Sequence, residues 1–517
     1  MLLLWLALVC VVVIGGGIGR KLPLPDAVIW CALGFGVGFA PAIRNLRFDP
    51  NLSLLLLLPP LVYSAAVRLP WPQFRDNLRP ISLLAFGLVL VNTAVIALAS
   101  HALTRLSWPA AIALGALISP TDPVAASAVA ERVGLPERIV AILEGEGLVN
   151  DAVSLTVLRI AIAVAATGHV AVAAGVERFV AIVIGEPIYG CVVGAVVLYL
   201  RRRIEDPRLE ITVSLLTPFA AYLAPERLGG SGILATVAVG MYIGERLSEV
   251  VPAGTRLRST SVWQIVDFLL NGVLFVVAGI ELRRVIRPEN LNENYLISGL
   301  LIAALAVCLR AAWCAGIWRL FRRHTVLREE DNRRMPARHM MVIAWAGMRG
   351  PISLAAALSV PVLAKPAQLG HVDTLLFVTA VVIVVTLMVQ GVGMPYVVRK
   401  VGVLRDADRD RQEKARQLQI GAAEAAGAAL AKLAQMETEG GVPADVAARL
   451  RRFYRDRLDA ATSDGELREI RAALIGVERS CIRELRNDGR ISDQVRQELE
   501  RKLDLRESGL AESQPGQ

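Results

Sequence analysis

Apolar runs close to the length that a bilayer demands recur from Met1 to about Lys400, separated by short polar interruptions. Thirteen such stretches are predicted as spans, at 2–19, 24–41, 51–67, 80–104, 108–131, 137–167, 176–202, 208–224, 230–247, 261–283, 295–322, 337–361 and 371–400. Beyond them the pattern changes. From about 401 to 517 Arg, Glu, Asp and Ala dominate, and apolar residues such as Leu450, Phe453, Tyr454 and Leu458 fall at helical spacing. The expected fold is therefore an all-α polytopic membrane protein of about 13 transmembrane helices over residues 1–400, with a soluble helical C-terminal tail over 401–517.

Two stretches break the helical pattern at membrane depth. One reads Ile118-Ser119-Pro120-Thr121-Asp122-Pro123-Val124, where two prolines remove amide donors on either side of a carboxylate. The other reads Trp345-Ala346-Gly347-Met348-Arg349-Gly350-Pro351-Ile352, with glycines and a proline around a guanidinium. They occupy the fifth and twelfth predicted spans and so cross in opposite directions. That is the arrangement expected of inverted repeats of six spans joined by one linker span, with the broken helices crossing.

Composition agrees with a membrane setting: of 517 residues 54% are hydrophobic and 20% charged. The net charge of +9 does not point to nucleic acid, because the basic residues gather in short loops beside the spans. The loops opening at Arg20, Arg68, Arg132, Arg201, Arg246 and Arg319 hold about 21 Lys and Arg, against about 8 in the alternate set. This bias predicts that those loops and the tail are cytoplasmic and the N-terminus external. The first stretch has no basic leader and ends at Arg20-Lys21 without a small-residue cleavage site, so it is expected to be a span. The six cysteines follow neither a disulfide nor a zinc pattern, and no cofactor is expected.

Ionisable residues inside spans are functional candidates, since a charge at the bilayer centre costs at least about 2.5–3.5 kcal/mol. Those singled out are Asp122, Arg349 and the cluster from Glu144 through Glu146 to Asn150-Asp151; Asp267 and Glu281 sit nearer span ends. Asp151 and Glu144 are seven residues apart and share a helix face, whereas Glu146 is rotated away. A carboxylate beside unwound backbone can trade its proton for a dehydrated small cation, and Asp151 and Asp122 fit that description as cation ligands. The alternative role for Asp122 is as the cap of the helix after the break, and the two roles can coexist. Arg349 stays protonated and requires a partner, and Glu146 on a neighbouring helix is assigned to it. His101, His169, His324, His339 and His371 fall at span ends or in loops.

These residues resemble the Na+/H+ exchanger family, the electroneutral NhaP-type branch of the monovalent cation:proton antiporters. The resemblance rests on Ser119 to Ala125, on Glu144 to Asp151 with its Asn-Asp pair, and on Trp345 to Gly350, in family order over residues 1–400. It implies that Asp151 binds the ion and the proton, that Asn150 supports it, that Thr121 and Asp122 contribute from the crossing, and that Glu146 and Arg349 form a structural ion pair. It further implies electroneutral exchange of Na+, or of Li+ or K+, for H+ at a shared carboxylate, and a plasma-membrane homodimer. The sequence departs from the family at Ser64, where many members carry Glu, and at Gly147, where several carry Ser.

The competing class is a channel or sensor that keeps the fold without exchanging ions, and it differs in not needing a titratable acid at position 151. A membrane-embedded enzyme would need a nucleophile with its base, or a cluster of metal ligands, and neither stands out.

Overall fold

The computed structural model describes residues 2–22, 24–40, 50–122, 126, 133–167, 172–286, 293–324, 335–363, 372–439 and 443–462. Pro123, Val124, Ala125, His169 and His371, named above, lie outside them. The regular structure among the described residues is all helical, and helices lie within each of the thirteen apolar stretches. In chain order these are α1 Leu2–Gly19, α2 Asp26–Val37, α3 Pro50–Arg68, a short α4 Trp71–Asp76, α5 Leu78–Thr104, α6 Trp108–Ile118, α7 Glu137–Thr167, α8 Val172–Val180 and α9 Glu186–Arg201. There follow α10 Pro207–Arg227, α11 Ile233–Val250, α12 Ala253–Val285, α13 Glu293–His324, α14 Ala337–Trp345, α15 Pro351–Leu363, α16 Val372–Thr386 and α17 Val392–Val401.

Among the described residues, six helical stretches are long and apolar enough to cross a membrane by length and composition: 78–104, 137–166, 177–201, 254–285, 293–320 and 372–401. Shorter apolar helices, among them α2 and α6, accompany them. Wider helical turns of the π type interrupt α5 at Leu83–Leu88, join α8 to α9 at Ala181–Gly185 and join α16 to α17 at Leu387–Gly391. Such turns swing the following residues around the axis and are common at functional sites.

Two sets of helices emerge from the packing. In the first, α5, α6, α7, α13, α14, α15 and α16 pack on one another. In the second, α1, α2, α3, α9, α10, α11 and α12 do so. The second set includes near backbone contact between α2 and α12: a Cβ added at Gly34 would overlap the Val276 carbonyl, and one at Gly279 the Cys31 carbonyl. Small residues permit this approach where lipid offers no hydrophobic drive to association. The sets meet where α15 lies against α3 and α12, and α7 against α11.

The chain separates into two compact units, residues 1–404 and 405–517. In the second, α18 Leu404–Thr438 and α19 Ala444–Thr462 are tied by an Arg451–Glu437 ion pair, and Phe453 stacks edge-on against Tyr454.

Candidate ion-binding site

Both broken stretches prove to be unwound. Helix α6 ends at Ile118 and the chain from Ser119 to Asp122 is non-helical; α14 ends at Trp345 and the helix resumes only at Pro351. The two segments are joined by a backbone hydrogen bond of 2.8 Å from Asp122 N–H to Met348 C=O. Pro120 cannot donate to the preceding turn and so ends α6, while Pro351 opens α15 at its first position, where a missing N–H costs nothing.

The crossing leaves helix ends inside the protein, and charged side chains meet them. Arg349, fully buried, donates from Nε to the Ile118 carbonyl at 3.1 Å and from Nη1 to the Gly347 carbonyl at 2.6 Å. Ile118 is the last residue of α6, so a cation sits at the negative end of that helix and satisfies one of its orphan carbonyls. Asp122 lies against Gly350, immediately before the first turn of α15, where a negative charge is favoured. Gly350 is obligatory for this approach: a Cβ there would overlap the Asp122 carboxyl carbon.

Glu146 does not take the partner assigned to it from the sequence. Its carboxylate receives both terminal nitrogens of Arg310 on α13, Nη1 to Oε1 and Nη2 to Oε2 at 2.8 Å, and Arg310 Nε donates to the Ile343 carbonyl at 3.1 Å. The expected Glu146–Arg349 pair is thus replaced by Glu146–Arg310. The reason is geometric: the unwound backbone supplies Arg349 with carbonyl acceptors, while the facing fork of Arg310 matches a carboxylate in a bidentate way. Gly347 makes room for it, since a Cβ there would come within 2.6 Å of Arg310 Cδ.

Thr121 links this pair to the Asn-Asp motif. Its hydroxyl donates to Glu146 Oε1 at 2.9 Å, and Asn150 Nδ2 lies 3.1 Å from both the hydroxyl and the carbonyl of Thr121. Asn150 therefore braces the unwound segment. Asp151, next along α7, is 6% exposed and makes no hydrogen bond or ion pair among the described residues. It lines a small cavity of about 10 Å³, roughly one water in size, with Pro120, Ser154 and Ser353. Ser154 donates its proton to the Ala116 carbonyl, which leaves its oxygen lone pairs as acceptors. Asp122 is near enough for its charge to act on Asp151, although no hydrogen bond joins Asp151 to Asp122 or to Thr121. Glu144 is half-buried on the same helix. The oxygens around Asp151 suit a small monovalent cation as transported substrate.

Arg310, Ser154 and Ser353 were not among the residues chosen from the sequence. Arg310 carried a signal, because it stands in the middle of the 32-residue α13, at a depth where a charge is costly. The serines carried none, being common in such helices. Ser64 donates to Asp267 Oδ1, and Asp267 also pairs with Arg68. An acid from α12 thus reaches the position where the sequence lacks one on α3.

A sequence profile described as "Sodium/hydrogen exchanger, transmembrane" matches residues 6–400. The chain belongs to that family. An uncharacterised Na+/H+ exchanger of Mycobacterium tuberculosis is 34% identical over 98% of this chain and 95% of its own length. The Na+/H+ antiporter ApNhaP of Aphanothece halophytica is 31% identical over 75% of this chain and 72% of its own. A sodium, potassium, lithium and rubidium/H+ antiporter of Bacillus pumilus is 33% identical over 74% of this chain and 59% of its own. Among solved structures, the sodium proton antiporter MjNhaP1 of Methanocaldococcus jannaschii shares the fold, with a TM-score of 0.59 at 18% identity over 78% of this chain and 98% of that one. The exchanger is a multi-pass membrane protein and a monovalent cation/H+ antiporter, not an enzyme.

Proposed function

We propose that the chain exchanges Na+ for H+ electroneutrally, one for one, by alternating access at Asp151, with Li+ and K+ as competing substrates. The observation that carries this reading is a charge balance. Around the crossing, the buried carboxylates of Asp122, Glu146 and Asp151 face the buried guanidiniums of Arg310 and Arg349. Three negative charges against two positive leave one negative charge, which a single monovalent cation or a single proton cancels. A net charge buried in a bilayer is costly, so the neutral loaded forms are the ones suited to cross. Glu146 is committed to Arg310, and Asp151 makes no ion pair among the described residues, so it carries the exchangeable charge.

Cation and proton then compete for one carboxylate, and that competition is what couples their movements. Asp122 faces the positive end of α15 and lowers the cost of the cation-loaded form by its charge on the site. Selectivity follows from how Asp151 and the serine oxygens fit a partly dehydrated ion; the Bacillus relative, by its name, moves four different alkali cations. The basic bias of the loops supports a cytoplasmic tail in a plasma-membrane protein, and the family resemblance supports a homodimer.

The deciding experiment is cation-induced proton movement in proteoliposomes, followed with a pH-sensitive dye for Na+, Li+ and K+, with and without a clamped membrane potential. Exchange that is indifferent to the potential and lost in Asp151→Asn is the expected result. Exchange that responds to the clamp overturns the one-for-one stoichiometry, and normal exchange by Asp151→Asn overturns the carboxylate mechanism.

A further inference from the structure

Helix α7 carries Asp151 in the first set of helices, and eight residues further along it, about 12 Å, it carries Arg159. Arg159 reaches into the second set. Its Nη2 donates to Glu226 Oε1 at the end of α10 at 2.5 Å, and its Nη1 donates to the Gly230 carbonyl in the turn that leads to α11. That turn is independently held within its own surroundings. Glu186 of α9 accepts the N–H groups of Ser231 at 2.6 Å and Gly232 at 3.0 Å, and Arg178 of α8 donates to the Gly229 carbonyl at 2.9 Å. Arg159 is thus a charged side chain of the Asp151 helix gripping a turn already fixed by others.

Two ion pairs made by α7 among the described residues differ in a way that bears on motion. Glu146–Arg310 lies within the first set and is almost wholly buried, with side-chain exposures of 2% and 0%, so it travels as part of one body. Arg159–Glu226 bridges the two sets, and its side chains are 24% and 30% exposed. Separating a fully buried pair strands two charges, whereas separating a partly exposed pair costs less because each group already reaches its surroundings. Only the second is suited to breaking and reforming in every cycle.

We propose that Arg159 and Glu226 form a releasable latch that positions the Asp151 helix. Closed, as in this structure, it seals the end of the bundle at the Gly229–Gly232 turn; it opens in the half-cycle that exposes Asp151 to that end. The proposal rests on the alternating-access reading above, because a carboxylate fixed to α7 can change its access only if α7 shifts against the second set.

The test uses full-length protein in proteoliposomes sorted by orientation, with Na+ varied on one face at a time. Arg159→Gln and Glu226→Gln are each expected to lower the KM for Na+ on the turn face and raise it on the opposite face, by about five-fold or more, as the latch-open state gains population. The charge-reversed pair Arg159→Glu with Glu226→Arg is expected to return both values to within about two-fold of wild type. Unchanged KM values in the single variants, or a reversed pair no better than either single, overturn the latch while leaving the Asp151 reading intact. Normal exchange by Asp151→Asn, run alongside, overturns both. Should a neutral variant fail to fold, the reversed pair decides: a folded exchanger with wild-type KM values supports the latch, and its loss overturns it.

Discussion

The pairing of Glu146 is the point at which geometry and sequence pattern part, and it can be tested by energy. Replacing Arg310 with Met removes two N–H···O bonds from a carboxylate that is 1% exposed, leaving the Thr121 hydroxyl as its remaining donor. Breaking a buried pair from one side costs about 3–5 kcal/mol, because the stranded charge keeps its desolvation penalty without its partner. Replacing both, as Glu146→Gln with Arg310→Met, leaves no stranded charge. The double variant is therefore expected to be more stable than Arg310→Met alone, with a coupling energy of about 2–3 kcal/mol. The same cycle run with Arg349→Met in place of Arg310→Met is expected to give a coupling below about 1 kcal/mol, since no hydrogen bond joins Glu146 to Arg349 and each has its own partners. The assay is equilibrium unfolding in mixed micelles, followed by tryptophan fluorescence, for the four proteins of each cycle. A larger coupling with Arg349 than with Arg310 would refute the assignment of the pair, and equal coupling would show the three charges acting as one network.

Gly350→Ala drives a methyl group into the Asp122 carboxyl and is expected to cost about 1–3 kcal/mol and at least ten-fold in exchange rate, read by the dye assay; wild-type exchange would mean that this approach is not needed. Thr121→Val keeps the shape of the crossing but removes the hydroxyl that meets Glu146 and Asn150, and it is expected to destabilise by about 1–3 kcal/mol in the same unfolding assay. The tail is expected to tune the response to pH: a chain truncated after Arg405 should show a displaced pH–activity profile, and a profile identical to that of the full chain would remove the tail from regulation.

The sequence by itself determined the parts of this protein that depend on local chemistry. Apolar runs of bilayer length located the helices, since in lipid each backbone amide must be satisfied within its own helix. Pro120, Gly347, Gly350 and Pro351 marked the two places where that rule is broken, and the breaks occur there. Asn150 and Asp151 stood out because polar groups at membrane depth are expensive and seldom accidental. What it left undecided is which helix lies beside which. Periodicity assigns a residue to a depth and a face, but a guanidinium on a long stem can serve any neighbour within reach, so the pattern led to Arg349 as the partner of Glu146 and gave no weight to Arg310. Tertiary packing settled it by bringing α13, whose Arg310 is 164 residues away in the chain, against the face of Glu146. It also turned Arg349 onto carbonyls that exist as acceptors only because the helices stop, and it delivered Asp267 to Ser64 across 203 residues. Those contacts join residues too far apart in sequence for any local pattern to record them, and the charge balance around Asp151 depends on them.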